Sequence, residues 1–271
     1  QRLGMRAALA AHPAARDVFD AVDDALERPL SRLMDDGPED ELTLTRNAQP
    51  ALMAVSIAAV RALEAELGRP LAAVTDVVAG HSLGEYTALT AAWTFDVATA
   101  ARLLDLRGAA MQAAVPVGDG AMAALMGLDV PRVAALLATL DGVVDIANDN
   151  ADGQVVVSGE RAAVEAAVEA ARAAGARRAT VLSVSAPFHC RLMRPAAERM
   201  AQALGEVRLA TPTVPVVANV TAEPLTEVDA IRAALIDQVC GRVRWRETMA
   251  ALTADGVDRV VEAGAGKVLA G

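Results

Sequence analysis

Hydrophobic positions recur along this chain at spacings of three and four, which predicts helices, and in short unbroken runs between glycines or prolines, which predicts strands. Asn47-Ala48-Gln49-Pro50 introduces a helical pattern that continues to about Leu67, with Pro50 near its first turn and Gly68 just past its end. Val77 to Ala79 forms a short apolar strand, a helix follows from Leu83 to about Ala92, and Asp96 can cap another that runs to Val115 before Pro116 stops it. From Gly118 to Ser185 the texture changes. Strand patterns at Ala121 to Gly127, Val143 to Ala147, Gln154 to Val157 and Arg178 to Ser185 enclose helical patterns at Pro131 to Leu140 and Glu160 to Ala174. That order is β-α-β-β-α-β, the split arrangement of a ferredoxin-like unit. Beyond it, helices are expected at Pro195 to Leu204, Val228 to Val239 and Arg244 to Ala254, with strands at Val214 to Asn219 and Asp258 to Glu262.

Strands alternating with helices predict a mostly parallel sheet covered on both faces. The expected architecture is therefore α/β, with residues 1–117 and 186–271 forming one large domain and residues 118–185 a ferredoxin-like (βαββαβ) subdomain inserted into it.

Two places break the pattern in ways that point to chemistry. The first is Gly80-His81-Ser82-Leu83-Gly84, a Gly-x-Ser-x-Gly turn between strand and helix. Such a turn pushes the serine hydroxyl out of the fold, and the helix opening at Leu83 brings free N–H groups and a positive dipole end. Ser82 is a candidate nucleophile, with a plain helix N-cap as the alternative. The second is Arg107, a cation within the apolar stripe Ala100, Leu103, Leu104, Ala110, Met111 and Ala114. A buried guanidinium needs an anionic partner or water. An internal salt bridge or a snorkelling side chain is the plainer reading, and a clamp for a substrate carboxylate the functional one. His189 follows a strand in the loop Ser185-Ala186-Pro187-Phe188-His189-Cys190 and is the better candidate base, because His81 lies beside Ser82 with its ring directed elsewhere.

Composition narrows the class. A 54% apolar content with mean hydropathy of +0.32 is ample for a core, yet the most apolar stretch, Pro50 to Ala59, is followed by Arg61 and is too short to span a bilayer. Net charge of −10 argues against nucleic acid. Two cysteines, Cys190 and Cys240, fit a reducing compartment, and cytoplasm is the expected location. The three histidines form no metal-ligand pattern, so neither metal nor cofactor is expected. Ala263-Gly264-Ala265-Gly266-Lys267-Val268 fails as a phosphate loop, since Val268 stands where Ser or Thr is required.

Laid out in order, Gly80-His81-Ser82-Leu83-Gly84-Glu85, Arg107-Gly108 with Met111-Gln112, Ala147-Asn148-Asp149-Asn150 with Gly153-Gln154, Ala186-Pro187-Phe188-His189, Val243-Arg244-Trp245 and Gly266-Lys267-Val268-Leu269 resemble the malonyl-CoA:acyl carrier protein transacylases and the related acyltransferase domains of polyketide synthases. Asn47 to Leu52 fits as well. The resemblance implies a hydrolase-like α/β domain, Ser82 as the malonyl-carrying nucleophile, His189 as its base, and Arg107 as the clamp for malonate's carboxylate, which reverses the plainer reading of that residue. Leu83 would supply an oxyanion N–H, and Met111 and Phe188 would line the acyl site, Phe188 crowding a 2-methyl branch. The expected partners are malonyl-CoA and holo acyl carrier protein, met by a monomer without nucleic acid or membrane. Polyketide synthase acyltransferase and serine thioesterase or hydrolase are the alternatives.

Three further expectations come with the resemblance. The family opens with Gly-Gln-Gly-Ser-Gln-x-x-Gly-Met, so Gln1-Arg2-Leu3-Gly4-Met5 would correspond to the end of it, with a strand and the second oxyanion-hole residue before residue 1. The histidine would be oriented by a backbone carbonyl, in the region Arg242 to Arg244. Because carrier proteins are acidic, Arg172, Arg177, Arg178, Arg191, Arg194, Arg242, Arg244 and Arg246 would offer a local basic patch, with scattered solvated arginines as the alternative.

Overall fold

The computed structural model describes residues 1–269. Residues 270 and 271, which close the expected large segment, lie outside them. The chain is mixed α/β. In order it forms helices α1 (Pro13–Leu26), α2 (Leu30–Asp36), α3 (Glu39–Thr43) and α4 (Thr45–Leu67), strand β1 (Val78–Ala79), helices α5 (Leu83–Ala91) and α6 (Val97–Ala113), then strand β2 (Gly120–Met126). Helix α7 (Val130–Leu137), strands β3 (Val144–Ala151) and β4 (Gln154–Glu160), helix α8 (Arg161–Ala173) and strand β5 (Arg178–Val181) follow. The remainder is α9 (Arg194–Glu206), β6 (Val216–Val217), β7 (Pro224–Leu225), α10 (Val228–Gln238) and α11 (Trp245–Ala254).

Strands β2 to β5 build one antiparallel four-stranded sheet in the order β3-β4-β2-β5. Its pleat sorts side chains by the period of two. Ala121, Ala123 and Leu125 of β2, with Val155 and Val157 of β4, face α7 and α8 and share a core with Val133, Val164 and Val168. Met122 and Val156 point to the opposite face, where with Ala147 they meet Phe188 and Leu182. One face of this sheet thus holds the unit together, and the other becomes a wall of a cleft.

The larger core is mainly helical. Helices α1, α4, α5, α6 and α9 pack around it, burying Phe19, Met34, Met53, Ile57, Leu89, Leu103, Leu104, Met193, Met200 and Leu204. Each fully buried side chain of this size contributes about 1.5–3 kcal/mol of transfer free energy. Gly108 lets α6 approach the start of α4: a Cβ there would lie 2.6 Å from Arg46 Cα and from Thr45 O. That closeness brings Gln49 and Arg107 together.

Several expectations are corrected. The sheet of this region has three short strands in the order β1-β6-β7, and only β1 and β6 run parallel. The strand expected at Asp258 to Glu262 does not form, because among the described residues no strand pairs with it to complete a ladder; Val260 and Val261 are 67% and 73% exposed. The segment before Asn47, for which the sequence reading sets no boundaries, holds α1, whose Ala15, Val18, Phe19 and Val22 form a buried stripe behind Pro13 at its first turn. Helix α4 starts at Thr45, so Pro50 sits inside it. The strand expected to reach Ser185 ends at Val181, and a loop carries the chain on to His189.

Candidate active site

Ser82 sits between β1 and α5 with φ of 57° and ψ of −113°, a conformation that costs a non-glycine residue energy and that the surroundings must impose. Gly80 makes the turn possible, since a Cβ on it would fall 1.9 Å from the Gly84 carbonyl oxygen. The serine hydroxyl caps nothing in α5. It lies instead 2.8 Å from His189 Nε2, and Arg107 Nη2 donates to it at 3.2 Å.

His189 reaches this point from the loop after β5, with its own φ at 58°. Its Nδ1 is 2.9 Å from the Gln238 carbonyl oxygen. The orienting carbonyl therefore comes from the last residue of α10 rather than from Arg242 to Arg244, because a helix end leaves carbonyls without intrahelical partners. Burial, followed by the nearby Arg107 charge, pushes the His189 pKa down to about 3, so the ring is neutral at physiological pH and Nε2 is free to accept a proton.

Arg107 is 1% exposed and, among the described residues, neither snorkels nor pairs with a carboxylate. Nη1 donates to Gln49 Oε1 at 2.7 Å, Nη2 donates to Gln238 Oε1 at 2.8 Å, and the guanidinium carbon lies 5.6 Å from the Tyr86 ring centroid. Two amide oxygens and an aromatic face hold the cation while leaving its charge without an opposite partner in contact. Burial disfavours that charge, and the nearest acid, Glu85, attracts it from one amide away without touching it. An anion entering beside Ser82 would offset that burial.

Behind the turn stands a polar network. Glu85 Oε2 accepts from the Asn219 N–H at 3.0 Å and from Gln238 Nε2 at 2.7 Å. Asn219 bridges the turn, with Oδ1 accepting from the Ser82 N–H at 2.7 Å and Nδ2 donating to the Gly80 carbonyl at 2.7 Å. Gln238 Nε2 also donates to the Ser82 carbonyl at 3.0 Å. Burial raises the Glu85 pKa to about 7 from 4.5. A folded-state pKa above the unfolded one contributes stability that is present below pH 4.5 and lost as pH rises through 7. Glu85→Gln cannot ionise, so relative to the parent it gains on the order of 3 kcal/mol between pH 4.5 and 8, measured by urea unfolding across that range.

The cleft in front of Ser82 encloses about 260 Å³ and is lined by Thr45, Gln49, His81, Leu83, Arg107, Met111, Met122, Asn148, Leu182, Val184, Phe188 and His189. All six residues singled out from sequence, Ser82, Leu83, Arg107, Met111, Phe188 and His189, border it. The Leu83 N–H, at the first position of α5, has no protein acceptor among the described residues. Gln112 Nε2 donates to the Ser185 carbonyl at 2.9 Å and so ties the Phe188 loop to α6. His81 turns away from Ser82, its Nε2 lying 2.9 Å from Asn150 Oδ1. That contact and the backbone bridge between Asn148 and Val243 join the four-stranded sheet to the rest of the chain.

Gln49, Glu85, Asn219 and Gln238 carry no role in the sequence reading. Gln49 and Glu85 fall within quoted motifs, and Asn219 and Gln238 have no local signal beyond a polar residue ending an apolar strand and an apolar helix. The proposed basic patch thins out: Arg191 pairs with Asp145, Arg242 and Arg244 with Glu247, Arg246 with Asp149 and Arg172 with Glu169. Among the described residues, Arg177, Arg178 and Arg194 make no ion pair, and no group of three or more His, Cys, Asp or Glu side chains is arranged to hold a metal ion. No helix of the described residues is long and apolar enough to cross a membrane.

Residues 1–270 match the acyl transferase domain family. The chain is 44% identical over 274 residues to the malonyl CoA-acyl carrier protein transacylase of Escherichia coli strain K12, spanning 100% of this chain and 87% of that one. The structure of an acyl-carrier-protein S-malonyltransferase from Bartonella henselae aligns at a TM-score of 0.97 with 52% identity, over 100% of this chain and 87% of the other. A malonyl-transacylase in complex with its type II polyketide synthase acyl-carrier protein aligns at 0.95 with 43% identity, again over 100% and 87%.

Proposed function

This chain belongs to the acyl transferase domain family, and we propose that it moves the malonyl group of malonyl-CoA to the phosphopantetheine thiol of acyl carrier protein, as in fatty acid biosynthesis. The observation that carries this reading is the meeting at one hydroxyl of a base and a cation: Ser82 Oγ has His189 Nε2 at 2.8 Å and Arg107 Nη2 at 3.2 Å. A serine–histidine pair alone would suit any acyl ester chemistry. A buried guanidinium beside it, bonded to amide and hydroxyl oxygens rather than to a carboxylate, selects an acyl group with its own carboxylate.

In the first half-reaction Ser82 Oγ attacks the thioester carbonyl and passes its proton to His189 Nε2. The oxyanion meets the Leu83 N–H and the positive end of α5. The C–S bond then breaks, and the CoA sulfur leaves with the proton from His189. In the second half, His189 takes the proton of the carrier's thiol, the sulfur attacks the malonyl ester, and Ser82 recovers its proton as the C–O bond breaks. Throughout, Arg107 holds the malonyl carboxylate, while Met111 and Phe188 bound the space around the acyl chain.

The fold supports this division of labour. Residues 1–117 and 186–269 form the hydrolase-like domain that carries the serine turn, and residues 118–185 the ferredoxin-like subdomain, whose strand order and separate apolar core agree with that assignment. Arg177, Arg178 and Arg194 remain for attraction of an acidic carrier, acting from a monomer in the cytoplasm.

Incubating the protein with malonyl-CoA is expected to add one malonyl mass at Ser82, discharged on addition of holo carrier protein. No adduct at Ser82 overturns the transfer reading. An adduct lost to water as fast as to carrier makes the protein a hydrolase.

A further inference from the structure

Glu85 is 2% exposed, lies in the first turn of α5, and is not among the residues lining the cleft. Its one oxygen, Oε2, nevertheless receives both the Asn219 N–H and Gln238 Nε2. With or without a proton on the other oxygen, the Oε2 that receives both donors is an acceptor, so it fixes which way the Gln238 amide points. Nε2 must face Glu85, and Oε1 is thereby turned to Arg107 Nη2 at 2.8 Å. Reversing that amide would set its NH₂ against the guanidinium, donor against donor. Gln238 also presents its backbone carbonyl to His189, so one residue links the base and the cation to the buried acid.

The amide between Glu85 and Arg107 matters for binding. A carboxylate directly on Arg107 would satisfy the guanidinium and compete with the malonyl carboxylate. Set one amide away, Glu85 orients the cation without occupying it. We infer that Glu85 is a positioning residue for acyl selectivity: through Gln238 it sets the direction in which Arg107 presents its charge, and through Asn219 it holds the backbone of the Ser82 turn. The inference rests on the malonyl-transfer reading.

The test compares kcat/KM for malonyl-CoA and acetyl-CoA in the full chain carrying Glu85→Ala, Glu85→Asp or Glu85→Gln, with the Tm of each recorded. An acetyl group makes no use of Arg107, so the ratio of the two constants reports on the clamp, and damage to the turn lowers both alike. Glu85→Ala is expected to lower the malonyl-to-acetyl ratio by about 10–100-fold, the range for losing a group that orients a binding side chain. Glu85→Asp keeps the carboxyl group but shortens the reach, and is expected to lower the ratio in a protein whose Tm stays near the parent's. Glu85→Gln still accepts through Oε1 and is expected to hold the ratio within a few-fold of the parent. An unchanged ratio in Glu85→Ala or Glu85→Asp overturns the inference, as does an equal fall for both donors. The parent protein tests the transfer reading separately: if it acquires no malonyl adduct at Ser82, that reading and this inference fall together.

Discussion

Ser82→Ala is expected to lower malonyl transfer from malonyl-CoA to holo carrier protein by about 10⁴-fold or more, and to abolish the covalent malonyl adduct. The reason lies in the turn. Strain at Ser82, with φ of 57°, is imposed by Gly80 and by Asn219, and it aims the hydroxyl at His189 rather than at the first turn of α5. Among the described residues the hydroxyl bonded to both His189 and Arg107 is that of Ser82, so alanine leaves binding and the Leu83 N–H but removes the oxygen that carries the acyl group. His189→Ala in the same background is expected to add little, because nucleophile and base act as one unit and their losses do not sum. Steady-state transfer rates and intact-protein mass decide the matter. Ser82→Ala protein that still accumulates a malonyl ester would transfer the nucleophile's role elsewhere.

Arg107→Ala has the second largest expected effect, a fall in kcat/KM for malonyl-CoA of about 10²–10³-fold with acetyl-CoA far less affected, so that selectivity collapses. A site built around a buried charge rejects a substrate that leaves it unpaired, and without the charge nothing distinguishes the two donors. Arg107→Lys is not expected to restore selectivity, because a point charge cannot span both glutamine oxygens and a carboxylate together. A second readout comes from pH. The Arg107 charge helps hold the His189 pKa down to about 3, so removing it raises that pKa, and the acid limb of acetyl transfer moves to higher pH. A malonyl-to-acetyl ratio equal to the parent's would retire Arg107 as the clamp.

Much of this site was legible in the chain because its parts break local rules. Gly80-His81-Ser82-Leu83-Gly84 is a strand-to-helix junction too tight for ordinary residues, and Arg107 is a charge where the stripe of α6 demands an apolar side chain. His189 stood out because few histidines compete for the role. The β-α-β-β-α-β order was equally plain, since its strands and helices carry clean periods of two and of three to four, and Gly175, with φ of 89°, follows the cap of α8 as a helix stop should.

What stayed hidden has a common cause. Gln49, Glu85, Asn219 and Gln238 come from α4, α5, the turn after β6 and the end of α10, and a lone polar residue looks the same in the sequence whether water or a buried partner satisfies it. The segment Asp258 to Glu262 differs for a related reason: its Val260-Val261 pair states a capacity to pair, and pairing needs a neighbour.

By itself, then, the sequence determined the α/β class, the Ser82 turn, the anomaly at Arg107 and the candidate base, all of which follow from the local sterics and periodicity of contiguous residues. Only the tertiary structure decided that Arg107 is held by two amide oxygens with no carboxylate in contact, that His189 leans on the carbonyl of Gln238, and that Glu85 stands behind both. Those contacts join residues separated by as many as 153 positions, and a hydrogen bond over about 3 Å is set by how helices and sheets pack. No local stretch of chain encodes that distance.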